Sequence, residues 1–147
     1  MLCEAVRISS LIPTWRCPAS TKKSLHALGG EAHCFMSDPD VAAEAKRRGI
    51  TRAMVSMEKA ARLSSDNLIF AIGNAPTALI QLEQLIREHQ LAPKLIIGVP
   101  VGFVNVVEAK ELILQSGVPC IVARGNKGGS NIAAAICNAL LYQLYRA

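Results

Sequence analysis

Three short apolar runs each break into a glycine-bearing turn, and each turn hands over to a stretch with helical character. Leu68–Ile72 leads into Gly73-Asn74-Ala75-Pro76-Thr77, Leu95–Val99 into Pro100-Val101-Gly102-Phe103, and Cys120–Ala123 into Arg124-Gly125-Asn126-Lys127-Gly128-Gly129-Ser130. Strand–turn–helix units repeated in this way imply right-handed crossovers that lay the strands side by side in parallel. The fold class that follows is α/β: three layers, with a mainly parallel sheet and helices on both faces. Turns at the C-terminal ends of such strands line up along one edge of the sheet, which is where ligands bind.

The length fits one domain over residues 1–147. Hydrophobic residues make up 51% of the chain and aromatics only 4%, so the core is aliphatic, as buried parallel strands favour. Lys plus Arg number 16 against 11 acidic residues, a net charge of +5. That surplus reads either as a solubility balance or as a site for a polyanion. Nucleic acid is the poorer polyanion: Lys46-Arg47-Arg48 is the only dense basic run, and no aromatic residues are interleaved with it. The cysteines at 3, 17, 34, 120 and 137 show no metal-binding spacing, so no metal site is expected. With Cys34, Cys120 and Cys137 in apolar context, they read as buried thiols in a reducing compartment. The longest apolar stretch, Leu95–Val107, is short and interrupted by Gly98, Pro100 and Gly102, so no membrane span is expected. The first residues do not read as a signal peptide, which leaves a cytoplasmic protein as the expectation.

Along the chain, Ser20–Leu28 reads as a short helix ended by Gly29-Gly30, and Ala32–Met36 as a strand. Asp38 as N-cap and Pro39 at the first helical position start a helix that runs to Arg48 and stops at Gly49. A second helix opens at Thr51 and runs to about Ser65, diluted by charge and expected to lie on the surface. After Pro76, Leu79, Leu82 and Ile86 form a core-facing stripe. Val104–Gln115 and Asn131–Tyr145 are the remaining helices, the last with Ile132, Ile136 and Leu140 at four-residue steps.

Arg124–Ser130 is the best candidate for chemistry. Its three glycines permit close backbone approach, the following helix offers N–H groups and a positive dipole end, and Arg124 and Lys127 add full charges. It is not a Walker A loop, since Lys127 precedes the glycine pair, and no G-x-G-x-x-G occurs. Asn74 and Thr77 read either as ligand hydrogen-bonders or, for Asn74, as a helix cap at an awkward backbone angle. Gly98–Phe103 reads as a pocket wall or as simple turn geometry. Arg52 follows Gly49-Ile50-Thr51 at a helix start, either as a carboxylate clamp or as a solvated surface arginine. His26, His33 and His89 have no nucleophile or carboxylate at a telling spacing and read as structural. Glu108 and Glu111 do not make a convincing acid–base pair.

Taken together, these turns resemble one family, the precorrin-8X methylmutases (precorrin isomerases) of cobalamin biosynthesis. The stretches that carry the resemblance are Ala71–Leu79, Ile97–Val104 followed by Glu108-Ala109-Lys110, and Arg124–Ser130. Ser37-Asp38-Pro39 and Gly49-Ile50-Thr51-Arg52 precede them in the family's order, so the resemblance covers about residue 32 to the end. It implies an α/β homodimer that acts on a corrin tetrapyrrole. The implied reaction moves a methyl group from C-11 to C-12 of the macrocycle to give hydrogenobyrinate, or acts on the cobalt-bearing equivalent. No separate cofactor is implied, because the migration is intramolecular. The implied substrate carries many carboxylates, which meets the polyanion reading. Arg52 becomes a substrate ligand, and Lys127 and Ser130 members of the binding loop. The expected substrate-binding set is Arg52, Asn74, Arg124, Lys127, Gly128, Gly129 and Ser130.

The family's catalytic histidine lies in an Ile-His-x-x-Gly-Asp type segment that this sequence does not contain, and no catalytic residue is assigned. The chain reads as the family's C-terminal portion, with residues 1–10 similar to an interior strand region. The expected function is a methylmutase-type isomerase. Its alternative is a corrinoid-binding relative without turnover. A generic phosphate- or nucleotide-binding domain is disfavoured by the missing fingerprints.

Overall fold

A computed structural model describes residues 3–7, 30–63 and 67–146. The helix expected over Ser20–Leu28, with His26, lies outside them. The elements in chain order are β1 (Cys3–Arg7), β2 (Glu31–His33), α1 (Pro39–Arg48), α2 (Arg52–Ala61), β3 (Leu68–Ile72), α3 (Pro76–Arg87), β4 (Leu95–Gly98), α4 (Val106–Gln115), β5 (Cys120–Val122) and α5 (Ser130–Arg146).

The strands form one sheet in the order β2-β1-β3-β4-β5. β3, β4 and β5 pair in parallel, with Ile72 level with Gly98 and Gly98 level with Val122. β1 runs antiparallel to both β2 and β3, so β2 points the same way as the parallel trio. β1 is therefore an interior strand, as the resemblance implied and as its aperiodic residues did not reveal.

Every residue of β3 is buried. Leu68, Phe70 and Ile72 join Ile96 in a core shared with α1 to α4. Ile69 and Ala71 join Ile97 and Val99 on the other face, against Ala133, Cys137 and Leu141 of α5. Helices thus cover both faces, and α3 and α4 follow their strands on the same side. Phe70, Leu79 and Leu82 are fully buried, each burial contributing about 1.5–3 kcal/mol relative to exposure. Among the described residues no helix is long and apolar enough to cross a membrane.

Local chemistry sets the helix ends. α1 starts where expected, with Asp38 in an extended N-cap conformation and Pro39 at the first turn, and ends at Gly49 in the left-handed region (φ +66°). The Asp38 carboxylate makes no cap bond. It accepts instead from Lys59 Nζ at 2.6 Å, which ties α1 to α2. α4 begins at Val106 rather than Val104, because Asn105 adopts a left-handed backbone (φ +57°) that a helix cannot include. β2 is shorter than the expected Ala32–Met36. Phe35 leaves the strand to enter the core, and its carbonyl accepts from Asp38 N–H at 3.1 Å.

Two helix faces differ from expectation. α2 ends at Ala61 and is not a surface helix: Ala53, Val55, Ser56, Met57 and Ala60 are all buried. Its contact stripe is made of small residues and a methionine, which a count of large aliphatics passes over. On α5 the buried stripe is Ala133, Cys137 and Leu141, one residue on from Ile132, Ile136 and Leu140. That step turns the helix by about 100°. Ala133, Cys137 and Leu141 take the sheet surface, and Ile132 is left 40% exposed.

Candidate functional site

The turns after β3, β4 and β5 meet at one edge of the sheet, locked together by backbone contacts. Gly73, the first residue after β3, has no room for a side chain: a Cβ there would stand 2.6 Å from Ser130 Cα and 2.8 Å from Ser130 N. The turn after β3 therefore rests directly on the start of α5. Val99 joins the middle turn to both neighbours, its N–H donating to Ile72 O at 2.9 Å and its carbonyl accepting from Gly129 N–H at 2.8 Å. Gly128 lies against the carbonyls of Val99 and Pro100, so a Cβ would collide with them. Gly102 N–H donates to Asn126 O at 3.2 Å. The glycines at 73 and 128 are thus required by close approach.

The commitment of Gly129 N–H to Val99 changes one part of the expected anion cradle, since that donor is already used. The remaining loop peptides are held from below by Lys110 on α4. This side chain was not picked out for chemistry in the sequence. It is buried, and its Nζ donates to the carbonyls of Gly125 at 2.6 Å and Lys127 at 2.8 Å. Burial holds its ammonium below the usual lysine pKa. The sequence signal was a lysine amid the apolar face of α4, with Val106, Ala109 and Ile113.

The charged candidates sit around this frame. Arg124 is 74% exposed and pairs with Glu111 on α4 at 3.5 Å. Lys127 is exposed beside the glycines. Arg52 is the first residue of α2, exposed, and lines a shallow depression with Lys46 and Ile50. Thr51 caps α2, its Oγ1 accepting from Met54 N–H at 3.2 Å, and also hydrogen-bonds Thr77 Oγ1 at 3.0 Å. That bond joins the start of α2 to the start of α3, while Arg52 itself borders α1. Thr77 is occupied by this link.

Asn74 has neither of its bland roles. Ala75, not Asn74, occupies the N-cap of α3, and among the described residues the positive-φ positions other than glycine are His89 and Asn105. Its half-buried amide remains at the edge beside Gly73. Gly98–Phe103 is more than a turn. Val101, Phe103 and Val104 are exposed, Phe103 to 88% and Val104 to 78%, so an apolar ledge borders the basic loop.

Among the described residues, His33 and His89 are not part of the loop. His33 ends β2, and its ring stacks on Phe35 with centroids 5.8 Å apart. His89 adopts φ +57° just past α3, beside Lys94 and Ser116 at the opposite end of the strands. Glu108 is exposed, whereas Glu111 pairs with Arg124, so the two carboxylates do not act as a unit. Among the described residues no group of three or more His, Cys, Asp or Glu is placed to hold a metal ion.

Comparison with known proteins gives a consistent result. The family model for precorrin-8X methylmutase matches residues 19–143. The cobalt-precorrin-8 methylmutase of Salmonella typhimurium is 44% identical over 99% of this chain and 69% of its own length. That of Priestia megaterium is 48% identical over 82% of this chain and 53% of its own length. The chain therefore spans between about half and about two thirds of these relatives. The crystal structure of the precorrin-8X methylmutase from Thermus thermophilus superposes with a TM-score of 0.73 at 37% identity, covering 84% of this chain and 59% of that one. Three joined turns, the sheet that carries them and these likenesses agree: the chain belongs to the precorrin-8X methylmutase family.

Proposed function

We propose that this edge binds a corrin macrocycle and serves the methylmutase reaction of the family, moving a methyl group from C-11 to C-12. The observation that carries the reading is the adjacency of two unlike surfaces. Val101, Phe103 and Val104 offer an exposed apolar ledge. Beside it lie Arg124, Lys127 and the glycine-rich backbone, which suit anions. A corrin has the same division, with an apolar ring face and a rim of carboxylates. Seating the ring on the ledge brings its rim to the loop, with Arg52 and Asn74 on the far side of Gly73 and Gly128, Gly129 and Ser130 beneath.

In this reading the chain binds and orients the ring. The methyl group leaves C-11 and bonds C-12 within one molecule, so orientation does much of the work. Proton transfer on the ring needs a general acid, and no described side chain is assigned that role. The protein acts as a cytoplasmic homodimer, without a separate cofactor. Relatives carry both cobalt-precorrin-8 and precorrin-8X names, so metal-free and cobalt-bearing rings are both candidate substrates.

The second reading, a corrinoid binder without turnover, is favoured by the places of the two described histidines, His33 on β2 at the sheet edge opposite β5 and His89 beside Lys94 and Ser116. One experiment separates the two. The protein is mixed with precorrin-8X in excess of substrate and the visible spectrum followed through a single turnover. Formation of hydrogenobyrinate establishes the isomerase. Saturable binding without conversion establishes the binder, and the absence of both removes the corrinoid reading.

A further inference from the structure

Lys110 poses a physical problem that the corrin-binding reading resolves. Its side chain is 1% exposed, and among the described residues no carboxylate pairs with it. Burial of an uncompensated ammonium costs several kcal/mol as an order of magnitude, and an aliphatic side chain would serve packing at least as well. The compensation it does receive comes only from the loop, from Gly125 O at 2.6 Å and Lys127 O at 2.8 Å. The carbonyl between them, that of Asn126, is held by Gly102 N–H at 3.2 Å.

These bonds have a directional consequence. All peptide bonds among the described residues are trans, and in a trans peptide the C=O of one residue opposes the N–H of the next. Carbonyls 125 and 127 face the ammonium, so the N–H groups of Asn126 and Gly128 face away from it. Among the described residues neither N–H donates a hydrogen bond. The ammonium thus fixes the polarity of the loop, with acceptors turned inward and donors turned outward, and places a positive charge directly beneath those donors.

We propose that Lys110 is the positioning residue of the anion-binding loop, turning the Asn126 and Gly128 amides towards a carboxylate of the ligand. This rests on the corrin-binding reading above. Lys110 itself touches no ligand. Arg124 and Lys127 supply exposed charges at the surface, whereas Lys110 supplies the fixed orientation of the backbone.

The test compares wild type with Lys110→Met, whose fold is checked by circular dichroism. Should that variant not fold, Lys110→Arg, which keeps the charge with a different reach, carries the same comparison. Hydrogenobyrinate and its fully esterified, uncharged form are titrated by visible absorption. The expected result is a loss of hydrogenobyrinate affinity of about ten- to a hundredfold, the scale of a charge-assisted hydrogen bond, with little change for the ester. Equal losses for both forms, or no loss for either, overturn the proposal. The amide resonances of Asn126 and Gly128 are followed in parallel with millimolar acetate as a minimal carboxylate. They are expected to shift in wild type and not in the variant. If wild type ignores hydrogenobyrinate, the corrin reading fails. The acetate response then judges Lys110 alone: selective shifts uphold its positioning role, and their absence ends it.

Discussion

Thr51 and Thr77 share a hydroxyl–hydroxyl hydrogen bond of 3.0 Å, which ties the start of α2 to the start of α3. The same Thr51 oxygen caps α2 through Met54 N–H. Two substitutions separate these roles. Thr77→Val removes only the tie, and a loss of about 0.5–1.5 kcal/mol is expected in urea unfolding. Thr51→Val removes the tie and the cap together and is expected to cost about 1–3.5 kcal/mol. Equal losses for the two variants would show that the cap contributes nothing.

Gly73→Ala is expected to damage the site more than its size suggests. The new methyl group meets backbone, Ser130 Cα at 2.6 Å, rather than a side chain that can swing away. Either α5 or the β3 turn has to move. The expected cost is about 1–3 kcal/mol, as for overpacked cores, with a matching loss of corrinoid affinity. Thermal unfolding and a binding titration check both. At Gly49 a Cβ meets nothing within 4 Å. The same substitution there is strained only by its left-handed backbone, and affinity is expected to be unchanged.

Lys127→Ala is expected to weaken corrinoid binding by about 1–3 kcal/mol, while Arg124→Ala has a smaller effect because its guanidinium already pairs with Glu111. An exposed pair of this kind adds at most about 1 kcal/mol to stability. Glu111→Gln should therefore leave the unfolding midpoint nearly unchanged and raise affinity for hydrogenobyrinate a few-fold by releasing Arg124. Isothermal titration distinguishes the three variants. An Arg124→Ala loss larger than that of Lys127→Ala would reverse the assignment.

Two lysines with opposite pKa shifts contribute to stability at alkaline pH. The hydrogen bonds to Asp38 and Asp40 raise the pKa of Lys59, whose contribution is complete below the ordinary lysine value of 10.5 and is lost as pH rises through the raised folded value. Burial lowers the pKa of Lys110. Between its lowered folded value and 10.5 the unfolded chain holds more protons, so this group makes stability rise with pH. Lys110→Met should abolish that rise and leave the loss above 10.5. On the acid side, the hydrogen bond from Lys59 lowers the Asp40 pKa, so this contribution is present above 3.8 and fades as pH falls through the folded value. Urea unfolding across the pH range, in wild type and Lys110→Met, reads the slopes directly. A wild-type slope identical to that of the variant below pH 10.5 would contradict the assignment.

Strand–turn–helix order was legible because each signal is local: an apolar run, then Gly or Pro, then a periodic stretch. Asp38-Pro39 and Gly49 marked the ends of α1 for the same reason. What remained illegible depended on partners distant in sequence. The burial of α2 depends on small residues fitting α1 and α3, and the rotation of α5 depends on its packing against Ile69, Ala71, Ile97 and Val99 of the sheet. At the edge, the basic loop was visible from composition alone. The commitment of Gly129 N–H to Val99, the pairing of Arg124 with Glu111 and the inward reach of Lys110 were not, because each joins residues on different elements. Gly98–Phe103 reads from the sequence as a pocket wall or a simple turn, but the exposure of Phe103 and Val104 is not legible there, because apolar residues in a turn carry no periodic signal.

The seating of Gly73 against Ser130 also couples occupancy of the edge to the fate of a whole layer. On its face of the sheet the seventeen-residue α5 is held through Ala133, Cys137 and Leu141, with Ile136 and Leu140 packed alongside. If this helix lifts away, the turn after β3 loses the backbone it rests on and the loop loses its anchor at Val99. A molecule bound across the three turns would therefore act as a clasp. Amide exchange along α5 through its lifting from the sheet would slow with ligand concentration.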